Sequence, residues 1–176
     1  VNILKNTVLI SGSGGQGVVS AGIILAESVA ESASGTCLPE YGPEQRGGAA
    51  KCSVVISDGE IISPLPGKYM NFIAMNEQSH KKYIKQIKDG GLRVFNSNRI
   101  TGIPADDKTI LVPADDIAAE AGNPKTANIA MLGAFIKATG IVSEDNFVKT
   151  LKKKFAGKSA EILDMNIFAF KKGLNL

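Results

Sequence analysis

Apolar residues fall in short blocks along the chain, set apart by glycine, proline and charge. Thr7–Ser11 is an apolar, β-branched run with the length of a buried strand. A glycine-rich stretch follows at once, Gly12-Ser13-Gly14-Gly15-Gln16-Gly17. Val18–Ala33 is then rich in Ala, Leu, Ile and Val with only scattered acids, which predicts a helix apolar over much of its surface. Thr36–Gly48 fits no period and carries Pro39, Gly42, Pro43, Gly47 and Gly48, so it is expected to be a long loop. Ala50–Ile56 predicts a second strand, Asp58-Gly59 a hairpin-type turn, and Glu60–Ser63 a short returning strand ended by Pro64 and Pro66.

The remainder alternates and then turns helical. Asn71–Met75 predicts a strand, and Asn76–His80 opens a helix to about residue 87, closed by Asp89-Gly90-Gly91. Strands are expected at Leu92–Asn96 and Thr109–Val112, the latter stopped by Pro113. Helices are expected over Ala114–Ala121, over Asn128–Thr139 with Gly140 as its stop, from Ser143 to Phe155, and over Ala160–Lys172 ended by Gly173. Strand–helix alternation followed by helices predicts one α/β domain over residues 1–176. It would be three-layered, with a central mixed sheet flanked by helices and a Rossmann-like opening unit.

Composition narrows the function classes. The residues are 44% hydrophobic and 21% charged, a globular balance rather than a disordered one. The net charge of +3 and the few aromatics do not form the basic, aromatic-interleaved surface of a nucleic-acid binder. No apolar run reaches the roughly 20 residues of a bilayer span, and no apolar signal core opens the sequence. A reducing cytoplasm with free thiols is therefore the expectation. Cys37 and Cys52 are too few and too separated for a zinc or iron–sulfur motif. They read as a loop thiol and a core residue, their pairing left open.

The glycine loop is the main candidate for chemistry. Gly12, Gly14 and Gly17 satisfy G-x-G-x-x-G between a strand and a helix, where glycine lets backbone approach a ligand and helix N–H groups face an anion. A dinucleotide site also needs an acid at the end of a second strand. The region that should supply it, Cys37–Tyr41, is proline-broken, and Glu40 is a poor candidate. A P-loop needs a Lys where Val18 stands. Three readings stay open: a dinucleotide site with half of its fingerprint missing, tight helix–strand packing, or a loop that Gln16 ties through its amide to a neighbouring loop or partner chain.

Other candidates carry weaker signals. Arg46, in Tyr41–Gly48, would clamp a phosphate or carboxylate, or sit with Glu44 in a solvated loop. Asn128 would cap the helix that follows or reach a ligand. His80 reads as a helix-surface residue rather than an acid–base catalyst, since no positioned partner stands out. Lys152, Lys153, Lys154 and Lys158 read as a solvated basic face, or one that attracts anionic groups.

Taken in order, the two glycine clusters, Val112-Pro113 ahead of Ile117-Ala118, Asn128 through Leu132-Gly133, Phe155 with Lys158, and Asn166 followed by Ala169-Phe170 and Gly173 resemble the gamma subunit of 2-oxoacid:ferredoxin oxidoreductases. The likeness covers nearly the whole chain. It implies a complex of alpha, beta, gamma and ferredoxin-like subunits that oxidatively decarboxylates a 2-oxo acid to an acyl-CoA and passes electrons to ferredoxin. Thiamine diphosphate and iron–sulfur clusters would belong to partner subunits, with no cofactor held by this chain alone. The gamma-type chain would help bind coenzyme A and cover the active site. The expected contact surface is Gly12, Gly14, Gly15, Gln16, Gly17, Arg46, Gly47, Gly48 and Asn128, with no catalytic residue and no metal ligand. The other classes open to the sequence are a stand-alone nucleotide- or coenzyme A-binding module and a purely structural subunit.

Overall fold

The structure, a computed structural model, describes residues 5–41, 48–104 and 106–176. Six strands form one mixed sheet in the order β2-β3-β1-β4-β5-β6. They are β1 (Lys5–Ser13), β2 (Ser34–Tyr41), β3 (Ala49–Ser57), β4 (Tyr69–Ala74), β5 (Ile87–Asn96) and β6 (Thr109–Val112). From β1 through β4 and β5 to β6 the pairing is parallel, while β3 runs antiparallel to both β1 and β2.

The helices are α1 (Val18–Ser28), α2 (Glu77–Tyr83), α3 (Ala114–Glu120), α4 (Ala127–Thr139), α5 (Glu144–Lys154) and α6 (Ala160–Leu174). One face of the sheet presents Val8, Ile10, Val54, Ile73 and Val94 to α1 and α4. Helix α6 packs outside α4, so α4 is enclosed on all sides and buries every residue from Ala127 to Ile136. That enclosure explains why its sequence lacks a polar stripe. The opposite face, with Leu9, Phe72, Ala74 and Phe95, is covered by α2 through Tyr83. The three layers and mixed sheet agree with the sequence expectation.

Several local expectations need correction. Residues 36–41 are not loop but most of β2, which contains Pro39 and Cys37. An edge strand has a neighbour on one side only, so a proline without an N–H is tolerated there. Glu60–Ser63 forms no returning strand. Both edges of β3 are already occupied, by β1 and β2, and the Ser53 hydroxyl instead donates to the Pro64 carbonyl at 2.8 Å. Helix α1 stops at Ser28, not Ala33, and the chain turns back so closely that a Cβ on Gly35 would strike the Ala26 carbonyl. Asp89-Gly90-Gly91 does not end a helix. It lies inside β5, where Gly90 has φ +72° and the register against β4 shifts. Gly173 does not end α6 but sits inside it.

His80 is more than a surface residue. Its ring meets Phe95 edge-on, with centroids 4.7 Å apart, and lies parallel to Phe72 at 6.4 Å. Burial against these rings holds its pKa below the ordinary 6.5, against an opposing pull from Glu77. The unfolded chain then binds this proton more readily than the folded one. The stability His80 contributes is complete above pH 6.5 and is lost as pH falls through the depressed folded value. Urea midpoints measured between about pH 7.5 and 5 should fall more steeply for the wild type than for His80→Gln. Parallel curves would show that the ring does not titrate across this window.

Candidate functional site

The carboxyl ends of β1 and β4 lie side by side in the sheet, and the chain leaves them in opposite directions. After β1 it passes to α1 on one face, and after β4 to α2 on the other. Such a switch point opens a crevice at the strand ends, the usual ligand position in open α/β sheets. The glycine loop follows β1 at this point, and Asn76 follows β4.

Gln16 and Asn76 join the two sides. The Gln16 Oε1 accepts from the Ser13 N–H at 2.7 Å and from Asn76 Nδ2 at 2.7 Å. Asn76 Nδ2 also donates to the Ser13 hydroxyl at 2.8 Å, while its Oδ1 caps α2 by accepting from the Ser79 N–H at 2.9 Å. Gln16 thus ties its loop to a neighbouring loop, and its partner Asn76 was legible in sequence only as the opening of a helix. Gly12 permits this contact, since a Cβ there would stand 2.8 Å from Gln16 Oε1.

Gly17 has φ +70° and stands at the start of α1, which no side chain caps. A Cβ on Gly17 would come within 2.5 Å of Asn128 Nδ2. That amide instead donates to the Gly17 carbonyl at 2.9 Å, pinning the loop to α4. Asn128 lies within the first turn of α4 and does not cap it, because its amide is spent on the glycine loop. Its Oδ1 is buried and has no hydrogen-bond partner among the described residues.

Beside this amide lies a cleft of about 460 Å³. Gly15, Gly17 and Asn128 form part of its wall, and Lys125 and Lys158 line it as well, joined by Asn123 and Asn166. Two ammonium groups and an uncapped helix N-terminus make the cleft attractive to an anion. Lys158 was legible as part of a basic face, and Asn166 only within the ordered resemblance. Lys125 carried no sequence signal, because a single 3-10 turn before α4 places it there. A second cleft, of about 490 Å³, lies at the amino ends of β4 and β5, where Lys88 and Lys108 are offset by Asp89 and Asp107.

Gly48, the last residue of the second glycine cluster, reaches the loop that follows β1. The Gly14 N–H donates to the Gly48 carbonyl at 3.2 Å. Arg46 and Gly47 lie outside the described residues. Glu40 does stand near the end of a strand, but β2 is two strands away from β1 and Glu40 pairs with Lys51 at 3.1 Å. Among the described residues, no acid at the end of a neighbouring strand is therefore placed to hold a ribose beside the glycine loop. Cys37 and Cys52 are both free thiols. No helix among the described residues is long and apolar enough to cross a membrane.

A family profile for pyruvate ferredoxin/flavodoxin oxidoreductase matches residues 7–176. The chain belongs to this oxidoreductase family. It is 35% identical over 176 residues to the 2-oxoglutarate synthase subunit KorC of Methanocaldococcus jannaschii, covering 97% of this chain and 92% of that one. It is 37% identical to the ketoisovalerate oxidoreductase subunit VorA of Methanothermobacter thermautotrophicus, covering 91% of this chain but only 34% of VorA. This family member thus spans nearly all of one relative and about a third of the other. Among solved structures it resembles the gamma subunit of keto/oxoacid ferredoxin oxidoreductase from Geobacter sulfurreducens PCA. The TM-score is 0.81 at 30% identity, with 97% and 96% of the two chains covered.

Proposed function

We propose that residues 1–176 form a single gamma-type domain that serves as a subunit of a thiamine-diphosphate-dependent 2-oxoacid:ferredoxin oxidoreductase, where it helps bind coenzyme A and covers the active site. Thiamine diphosphate and iron–sulfur clusters belong in this reading to the alpha, beta and ferredoxin-like partners, and ferredoxin takes the electrons. The observation that carries it is the cleft beside Asn128. Lys125, Lys158 and the α1 N-terminus suit the phosphates of coenzyme A, and the buried Asn128 Oδ1 suits an N–H donor of the same ligand. The 2-oxoglutarate:ferredoxin oxidoreductase from Magnetococcus marinus, which shares the fold at TM-score 0.84 and 24% identity, holds coenzyme A and succinyl-CoA. The relatives are named for ketoisovalerate, 2-oxoglutarate and pyruvate. One shared architecture under three substrates fits a chain that handles the common thiol carrier while other subunits select the acid.

The test is kinetic. Each lysine–phosphate contact at an open cleft contributes about 0.5–1 kcal/mol. In the reconstituted complex, Lys125→Ala combined with Lys158→Ala should raise KM for coenzyme A roughly 5- to 30-fold and leave kcat at saturation nearly unchanged. An unchanged KM would sink the assignment of this cleft. Calorimetry of the isolated chain with coenzyme A, NAD and FAD separates the classes, since tight binding by the lone chain would favour a stand-alone module. Full activity of a complex lacking this chain would favour a purely structural subunit.

A further inference from the structure

Cys37 and Cys52 lie on neighbouring strands, β2 and β3, and both pack against the face that α1 covers. In the register Cys37 sits opposite Val54 and Cys52 opposite Pro39, so the two are diagonal neighbours on one side of the sheet. Gly22 of α1 rests directly on their sulfurs. A Cβ there would stand 2.9 Å from Cys37 Sγ and closer still to Cys52 Sγ. A glycine in mid-helix costs stability, and here it leaves room for two sulfurs side by side beneath the helix. The two thiols differ in access, since Cys37 is half-buried on the edge strand and Cys52 is fully buried.

We infer that Cys37 and Cys52 form a reversible dithiol–disulfide site, in which Cys37 attacks an oxidant from solution and Cys52 resolves the product. The oxidant is a small-molecule disulfide. The Cys37 thiolate attacks one of its sulfurs, forms a mixed disulfide and expels the first thiolate. Cys52 then gives up its proton and attacks Cys37 Sγ, expelling the second thiolate as the internal bond forms. The two cysteines lose two electrons, the small disulfide gains them, and both cysteine protons end on the two released thiols.

The local electrostatics match this division of roles. The adjoining Cys52 thiol, and then the Lys154 ammonium, hold the Cys37 thiol below its ordinary pKa against the effect of burial, while Cys37 and burial push Cys52 up. The internal bond closes residues 37–52 into a ring containing the Tyr41–Gly48 cluster. The inference is independent of the coenzyme A assignment.

The experiment incubates the full chain with oxidised glutathione and reads intact mass and cysteine-containing peptides. The wild type should lose both thiols without gaining an adduct, with a 37–52 cross-linked peptide at least about tenfold more abundant than glutathionylated Cys37. Cys52→Ser should trap a stable glutathione adduct on Cys37. Cys37→Ser should leave Cys52 at least about tenfold less reactive than Cys37 in the wild type. If either variant fails to fold, the wild-type peptide map still decides. Two persistent thiols, or an adduct that accumulates on Cys37 without an internal bond, would overturn the inference.

Discussion

Replacing Gly173 with alanine should destabilise the protein by about 3 kcal/mol, in the upper range for overpacking a core. Helix propensity alone predicts the reverse, a gain of roughly 1 kcal/mol for alanine over glycine in a helix interior. The packing of α4 on α6 decides the sign. A Cβ on Gly173 would fall on the Ala130 carbonyl, 2.9 Å from its carbon and 3.1 Å from the Ala130 Cα. On the facing helix, a Cβ on Gly133 would collide with the Phe170 carbonyl and stand 2.9 Å from the Leu174 nitrogen. All these atoms are backbone, so no side-chain rotation relieves the clash. Beside this contact Phe147 stacks on Phe170 with centroids 4.3 Å apart, and both rings are fully buried. Separating the helices would therefore also loosen a packed aromatic pair. With a urea m-value of about 2 kcal/mol/M, the midpoint for Gly173→Ala should drop by roughly 1.5 M. Gly157→Ala is the control, because nothing lies within 4 Å of its Cβ position. Its stability should stay within the roughly 0.5 kcal/mol typical of surface changes. A Gly173→Ala midpoint equal to or above the wild type would refute the close backbone approach.

Asn76→Ala should cost about 2–3 kcal/mol, the sum expected for one lost N-cap and two lost side-chain hydrogen bonds at about 1 kcal/mol each. The same change should raise KM for coenzyme A in the reconstituted complex, because Asn76 holds Gln16 and Ser13 in place without lining the cleft. Asn76→Asp separates the two effects. Its carboxylate still accepts from the Ser79 N–H and keeps the α2 cap, but it offers no donor to Gln16 Oε1 or the Ser13 hydroxyl. The N-cap share of the stability, about 1 kcal/mol, should return while KM stays raised. If Asn76→Asp restored both to wild-type values, the tie across the crevice would have no part in shaping the site.

The sequence reading succeeded where a local pattern and the tertiary setting agree. Thr7–Ser11, the helix from Val18, Asn128–Thr139 with its Gly140 stop, and the helix opened by Ser143 were all legible. Gly140 does hold φ +60°, and the Ser143 hydroxyl does accept from the Asn146 N–H. The reading failed where neighbours override local signals. Pro39 looked like a breaker but sits on an edge. Asp58-Gly59 looked like a hairpin turn, but β3 had no free edge to offer the returning segment. Gly90 and Gly173 looked like stops, yet one shifts the register inside a strand and the other marks where two helix backbones meet. The candidate site was half legible. Glycine spacing after a strand named the loop, and its likeness to the family drew in Asn128. Asn76 and Lys125 come from distant parts of the chain, and no spacing relates them to residues 12–17.

By itself, then, the sequence determined the α/β class, most elements and the family, because these rest on short-range periodicity, turn chemistry and motifs kept in order. Only the tertiary structure decided what the glycine loop is. It is a strut held by Gln16 and Asn76 on one side and by Asn128 on the other, at the point where the chain parts to opposite faces of the sheet. The reason is physical: a glycine leaves space, and only the fold settles what fills it. At Gly17 that is an amide, at Gly22 two sulfurs, and at Gly173 a carbonyl.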